Sequence, residues 1–328
     1  MIALPKLMLG DNLPQIVRIA TAIADDYSST VECNAEALVT AEPVALCLLA
    51  ASFGKLERRG QRARILGLRP EVKKNLEQLD VLADWLRERP EQTQDSRPGE
   101  TQSDLRACRV ATSGQANELA NALSREIAAF VPSDDIDAVI EEDPNLIRYR
   151  SVEQPLGYVV TELLDNSLNH GRAGGFGHAR AWVAAQYYRV GDLLRVAVVD
   201  DGCGFLQSLK HHREVTPKTH QKAVSSAFRP FVSCKKDVGV FRDATHQGLG
   251  LTVCRDLCLR ADGGISAASG TAWLASPGTP EEEARRLAPG YQGAVVMMTF
   301  HRRAITPGSL SEIFRRYQSD ENLPIRFI

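Results

Sequence analysis

The sequence predicts an α/β protein in two parts, and three observations carry that reading. Over the first 86 residues, short strand-like apolar runs alternate with segments of helical period. A polar stretch follows, Arg87 to Asp104 (RERPEQTQDSRPGETQSD), with two prolines and no large apolar side chain. Beyond it, helical segments and longer strand-like segments together imply a mixed sheet with helices on one face. The expected division is a first domain over 1–86, a linker over 87–105, a second domain over 106–302 and a tail over 303–328.

In the first domain Ile2 to Leu9 reads as a strand, Asn12 to Ala24 as a helix and Ser29 to Cys33 as a second strand. Glu42 to Arg59 has apolar residues at helical spacing, and its Val44 to Phe53 run is short enough to be a buried helix rather than a membrane span. Ala63 to Leu66 reads as a buried strand ending at Gly67. Pro70 then opens the helix Glu71 to Leu79, where its missing N–H removes no hydrogen bond. The linker cannot bury enough surface to offset its ordering entropy.

In the second domain Cys108 to Ala111 reads as a strand, and Gln115 to Phe130 and Gln154 to His170 as helices. Ala179 to Tyr188 and Leu193 to Asp200 flank Val190-Gly191-Asp192 as a β-hairpin. After an irregular stretch come a helix, Gly250 to Ala261, and strands Gly264 to Ala268 and Ala294 to Phe300.

Composition narrows the function classes. The chain is 44% hydrophobic and 24% charged, as soluble globular proteins are. With 39 basic against 41 acidic side chains and a net charge of −2, nothing indicates nucleic acid or an anionic membrane as partner. Met1 to Leu9 does not read as a signal peptide, because Pro5 and Lys6 interrupt it. Seven cysteines without a CxxC pair fit reduced thiols in a cytoplasmic protein, and Cys254 and Cys258 fit one buried helix face.

Three motifs carry chemistry. In Glu162-Leu163-Leu164-Asp165-Asn166-Ser167-Leu168-Asn169-His170, an α-helix puts Glu162, Asp165, Asn166 and Asn169 along one face and Leu163, Leu164 and Leu168 on the other. Carboxylate and amide oxygens suit Mg²⁺, and a carboxylate can take a proton from an attacking nucleophile. Taken alone, this stripe reads as a solvated amphipathic face. The second motif is an apolar strand delivering Asp200 into a DxGxG turn, Asp200-Asp201-Gly202-Cys203-Gly204, which suits a flat ligand with an exocyclic amine. The third, Gly248-Leu249-Gly250-Leu251, runs straight into a helix whose free N–H groups suit phosphate. None is specific alone; their order and spacing are.

On these residues, 106 to about 302 resemble the GHKL ATPase superfamily, whose fold is a two-layer α/β sandwich. The resemblance implies bound ATP and Mg²⁺, with Asn166 coordinating the metal, Asn169 in the same Asn box and Glu162 as general base. It implies that Asp200 reads the adenine amine within the box holding Gly202 and Gly204, and that Gly248, Leu249, Gly250 and Leu251 cradle the phosphates. Residues 106–302 are then expected to bind Mg²⁺ and ATP by themselves. Phe205 to Gln247 would be the ATP lid, in which Lys235 and Lys236 either reach the γ-phosphate or remain a solvated pair. His246 stands where a small residue is usual.

The first histidine of the sequence is His170, inside the Asn box, which is not the pattern of a conventional histidine kinase. The His170-Gly171 ending and the Gln115 to Phe130 helix most resemble anti-sigma-factor serine kinases. The strand and helix order of Met1 to Leu86 resembles the STAS domain, the fold of their antagonists. Phospho-regulated members carry an Asp-Ser pair before a helix; here Leu38-Val39-Thr40-Ala41-Glu42-Pro43 puts Ala41 at the serine position, with Thr40 beside it. The STAS-like domain then reads as a protein-binding or dimerising module without switch chemistry, which leaves homodimerisation open.

The combined expectation is an ATP- and Mg²⁺-binding regulator of a protein partner, itself a regulator or a toxin or effector. Hydrolysis or serine/threonine phosphotransfer is the enzymatic option. The alternatives are a non-catalytic ATP sensor, or an ATPase subunit of a larger defence or toxin-linked assembly.

Overall fold

The computed structural model describes residues 1–77, 103–110, 113–130, 152–233, 248–276, 284–306 and 308–319. In the N-terminal part, β1 (Ile2–Ala3), β3 (Thr30–Asn34) and β5 (Arg62–Leu66) form a parallel sheet in the order β1-β3-β5. A separate parallel pair joins β2 (Leu7–Met8) to β4 (Thr40–Ala41). The strand expected over Ile2 to Leu9 is thus two strands, divided around Pro5, which has no N–H to give a ladder. β5 is also less buried than its apolar run suggested. It lies at the end of its sheet, so Ala63 and Ile65 pack on the core while Arg62, Arg64 and Leu66 face solvent.

Helices α1 (Leu13–Ala24), α2 (Pro43–Arg58) and α3 (Pro70–Glu77) each carry proline in the first turn, where no helical bond is lost. α1 buries Leu13, Ile16, Val17, Ala20 and Ile23, one amphipathic stripe. α2 is buried from Pro43 through Gly54 on every side, and a helix apolar all round must be covered all round. What covers it is the sheet of the second part.

That sheet has five strands in the order β6-β7-β8-β10-β9: β6 (Ser103–Val110), β7 (Ala181–Tyr188), β8 (Leu193–Asp200), β9 (Gly264–Ser276) and β10 (Arg285–His301). Every described pairing in it is antiparallel, so it is not the mixed sheet expected. β6 already includes Ser103 and Asp104, the last residues of the polar stretch. β7 and β8 form the expected hairpin, pairing Ala181 with Asp200 and Tyr188 with Leu193. β9 and β10 run well past the spans read from sequence. Their register shifts between Arg286 and Ala294, among Pro289, Gly290 and Gly293, and this breaks the alternation that would reveal a strand.

Both faces of the sheet are apolar. Val183, Val196, Val198 and Met298 face α4 (Ser113–Phe130), α5 (Gln154–Asp165) and α8 (Gly250–Arg260), the two-layer α/β sandwich expected. Trp182, Ala184, Ala197, Val199, Val295 and Met297 point the other way, into the core of α1 and α2. Helices therefore cover both faces rather than one, and the N-terminal part supplies the third layer. Gly54 of α2 lies against Trp182, where an added Cβ would come 3.1 Å from the ring. Among the described residues, the ion pairs of Glu42 with Arg195 and of Arg58 with Asp201 cross this junction. Glu42, 4% exposed, also accepts the Gly10 N–H at 2.7 Å.

Within the residues read as a C-terminal tail, α9 (Ser309–Ser319) packs on α8 through buried Leu310 and Ile313. Tyr317 donates its hydroxyl to Asp256 at 2.5 Å.

Candidate functional site

The motif helix is not α-helical throughout. α5 ends at Asp165 and continues as a π-turn, Asn166–His170, closed by the Gly171 N–H on the Asn166 carbonyl at 3.1 Å. Leu163, Leu164 and Leu168 are buried as the spacing requires. Glu162, Asp165, Asn166 and Asn169 all line one cavity of about 330 Å³, with Asn169 the most exposed of the four. Asn166 donates its Nδ2 to the Glu162 carbonyl at 2.7 Å and lines the cavity.

Burial pushes the Glu162 carboxyl up to about 7, and the charge of Asp165 adds to the effect, against a hydrogen bond with Tyr158. The carboxylate also sits over the start of α8, where a Cβ on Gly250 would collide with its Oε2. Glycine at 250 is therefore a steric requirement of the Glu162 position.

β8 delivers Asp200, 3% exposed, to the same cavity. Its Oδ1 accepts the N–H groups of Gly202 at 2.9 Å and Ala294 at 3.2 Å. Burial raises this carboxyl to about 7, opposed by those N–H groups and by the Ser167 hydroxyl. Gly204, at φ +73°, lines the cavity, but Gly202 does not. Gly202 is glycine for a different reason: its Cα packs on the Gly171 backbone, where a Cβ would come 2.8 Å from the Gly171 Cα. Cys203 N–H on the Gly171 carbonyl, at 2.7 Å, closes the same contact. The first glycine turn is thus locked to the end of the motif helix.

The second glycine turn enters at Gly248, with φ +74°, and opens α8 at Gly250 without a side-chain cap on its first-turn N–H groups. Gly248, Gly250 and Leu251 line the cavity, whereas Leu249 is 7% exposed and packs into the core. Lys235, Lys236 and His246 lie outside the described residues.

The first half of the expected lid is not irregular. It holds α6 (Gly204–Ser208) and α7 (His220–Ala227), the latter capped by the Thr219 side chain. Phe205, Val215, Val224 and Phe228 are buried in the same core as the sheet. α8 holds this segment in place, as Arg255 Nη1 donates to the Phe228 carbonyl at 3.0 Å.

Sequence reasoning missed Ser167, Asn117 and the β10 pair Ala294 and Val296, all of which line the cavity. Ser167 had a signal, a lone hydroxyl on the leucine face of the motif helix. Asn117 and β10 had none, since chain pairing alone brings them there.

The residues fit a nucleotide and its cation. The volume is that of a small-molecule site. The buried Asp200 carboxylate, the carboxylate and amide side chains of the motif helix and the start of α8 all border it. Cys254 and Cys258 are buried free thiols on α8, as read from their spacing. Among the described residues no group of three or more His, Cys, Asp or Glu side chains forms a metal cluster, and no helix is long and apolar enough to cross a membrane.

Residues 151–304 match the family of histidine kinase-, DNA gyrase B- and HSP90-like ATPases. No curated protein is found to match the chain. The matched span contains all three motifs and all but one of the residues that line the cavity, Asn117 being the exception. Residues 151–304 are therefore similar to GHKL-type ATPase domains, a type that binds ATP, generally with Mg²⁺.

Proposed function

We propose that the protein is an ATP- and Mg²⁺-dependent regulator of the anti-sigma-kinase type, which controls a protein partner through nucleotide-dependent changes around the cavity. The convergence of Asp200, the Glu162 to Asn169 stripe and the uncapped start of α8 on one cavity carries this reading. Asp200 accepts the adenine amine, and Asn166 offers an oxygen to Mg²⁺. The first N–H groups of α8 receive the phosphates. Glu162, with a pKa near 7, can exchange protons at neutral pH, which suits a general base for hydrolysis or phosphotransfer.

The N-terminal part has a different relation to the ATP domain than a dissociating STAS antagonist would. Its helices bury the second face of the sheet, so its output is conformational rather than release of a partner chain. The position before α2 holds Ala41 in β4, without a hydroxyl to modify.

Calorimetry with Mg²⁺ and ATP on the full chain tests the core of this reading. Asp200→Asn should lower affinity by about 10- to 100-fold, since it removes a charged acceptor from a buried site. Glu162→Ala should keep ATP binding and abolish turnover or phosphotransfer. Unchanged affinity in the first variant, or wild-type turnover in the second, would remove the assigned role. Incubation with labelled ATP and phosphate mapping should find no phosphate between Val39 and Val44; phosphate on Thr40 would restore a self-phosphorylating switch.

A further inference from the structure

The turn that carries Asp200 is held partly from outside the ATPase domain. Arg58, in the last turn of α2, pairs with Asp201 Oδ2, and the two side chains are 26% and 12% exposed. The other oxygen of Asp201 accepts the Arg180 N–H at 2.7 Å, and its own N–H donates to the Arg180 carbonyl at 3.3 Å. Asp201 is therefore held at each carboxylate oxygen, by one strand end and by one arginine from the N-terminal part.

A second set of contacts fixes the same turn from β10. Gln292 Nε2 donates to the Gly202 carbonyl at 2.6 Å, and Gly293 packs so closely on the Asp200 carbonyl that a Cβ there would collide with it. Burial holds the hydroxyl of Tyr291, 9% exposed, well above its ordinary range, and the charges of Asp201 and Asp200 add to the effect. The end of α2, β10 and the Asp200 turn are thus one packed cluster.

We propose that Arg58 is a positioning residue for the base-reading end of the cavity: it holds Asp201, and through the shared backbone the Asp200 carboxylate, so that the N-terminal part sets nucleotide affinity and base selectivity. This rests on the reading of Asp200 as the adenine acceptor. Removing Arg58 leaves Asp201 largely buried with its counter-charge gone, which turns the carboxylate toward water. The turn then moves with it. Coupling of this kind is reciprocal, so nucleotide binding must in turn tighten the hold on α2.

The test compares ATP with inosine triphosphate, whose base has a carbonyl in place of the amine, by calorimetry on the full chain. Arg58→Ala should weaken ATP about tenfold, within the usual range of coupling between sites, and reduce the preference for ATP by a similar factor. Inosine triphosphate should change little. Arg58→Lys should recover much of the preference, and Arg58→Ala combined with Asp201→Asn should lose no more than the worse single variant.

Equal losses for both nucleotides, with no recovery by lysine, would show a merely structural role and overturn the proposal. So would unchanged ATP affinity in an Arg58→Ala protein that melts like the wild type. If that variant does not fold, the Arg58→Lys and Asp201→Asn proteins carry the selectivity measurement, and wild-type selectivity in both sinks the idea. A wild type that binds neither nucleotide overturns the underlying ATP reading instead, and this one with it.

Discussion

Asp200 and Glu162 put two carboxyl groups in one cavity, each raised to about 7 chiefly by burial. Their ordinary values are 3.8 and 4.5, so across the interval from about 4 to 7 the folded protein holds protons that the unfolded chain has released. Stability from these groups is complete below their unfolded values, falls as pH rises to about 7, and levels off above it. The loss is on the order of 3 kcal/mol per group. The ligand-free protein should therefore melt lower at pH 8 than at pH 5, and this drop should shrink in the Asp200→Asn, Glu162→Gln double variant. Equal drops in both proteins would show that neither carboxyl is strained. The acids themselves were legible in the sequence, because an apolar strand ending in Asp200 and a helix stripe led by Glu162 need only local spacing. Their partners were not. Ser167, Ala294 and Tyr158 reach them through helix geometry, strand pairing and packing, and short-range patterns record none of these reliably.

Glycines set the tolerances between elements, and they do so unequally. Gly202 faces the Gly171 backbone and Gly250 faces the Glu162 side chain, whereas Gly177 faces open space. Gly202→Ala must displace main chain and should cost about 2 kcal/mol or more in stability. Gly250→Ala can push a carboxylate aside, but it also puts a methyl group at the start of α8, where the phosphates are proposed to sit, so nucleotide binding should suffer more than the melting temperature. Gly177→Ala should stay within about 0.5 kcal/mol of wild type. Thermal melts with and without ATP separate the three, and a Gly202→Ala protein as stable as wild type would contradict the close approach at Gly171. The glycine turns were visible in sequence as ligand-facing motifs, but the packing of Gly202 on Gly171 was not. The π-turn at Asn166–His170 was hidden too, since an i, i+3, i+4 stripe reads the same until the helix widens. α2 was the opposite case. Its uninterrupted apolar run announced burial on all sides, and only the covering surface had to come from the fold.

At the scale of the whole molecule, the β7 sequence AWVAAQYY and the β8 sequence LLRVAVVD hold the information that the linker obscured. Neither alternates cleanly between apolar and polar, as a sheet buried on both faces should not. The polar stretch invited a reading of two separate domains, and all three motifs lie within 106–302, which suggested a fragment able to bind ATP alone. The packing gives the opposite expectation. Trp182, Ala197, Val199, Val295 and Met297 are each no more than 3% exposed, and α1 and α2 are what cover them. Without residues 1–86 that face becomes a contiguous apolar patch of the kind that drives association. Arg195 and Asp201 would also lose their partners Glu42 and Arg58. The full chain should unfold in one cooperative transition, and residues 103–328 expressed alone should aggregate or bind ATP far more weakly. Coexpressed as separate chains, 1–86 and 103–328 should copurify as a stoichiometric complex and regain ATP affinity, because the contact that joins them is a core rather than a tether. A 103–328 fragment that is soluble, monomeric and equal to the full chain in ATP affinity would show that the third layer is dispensable, and the N-terminal part would then be a passenger on the sheet.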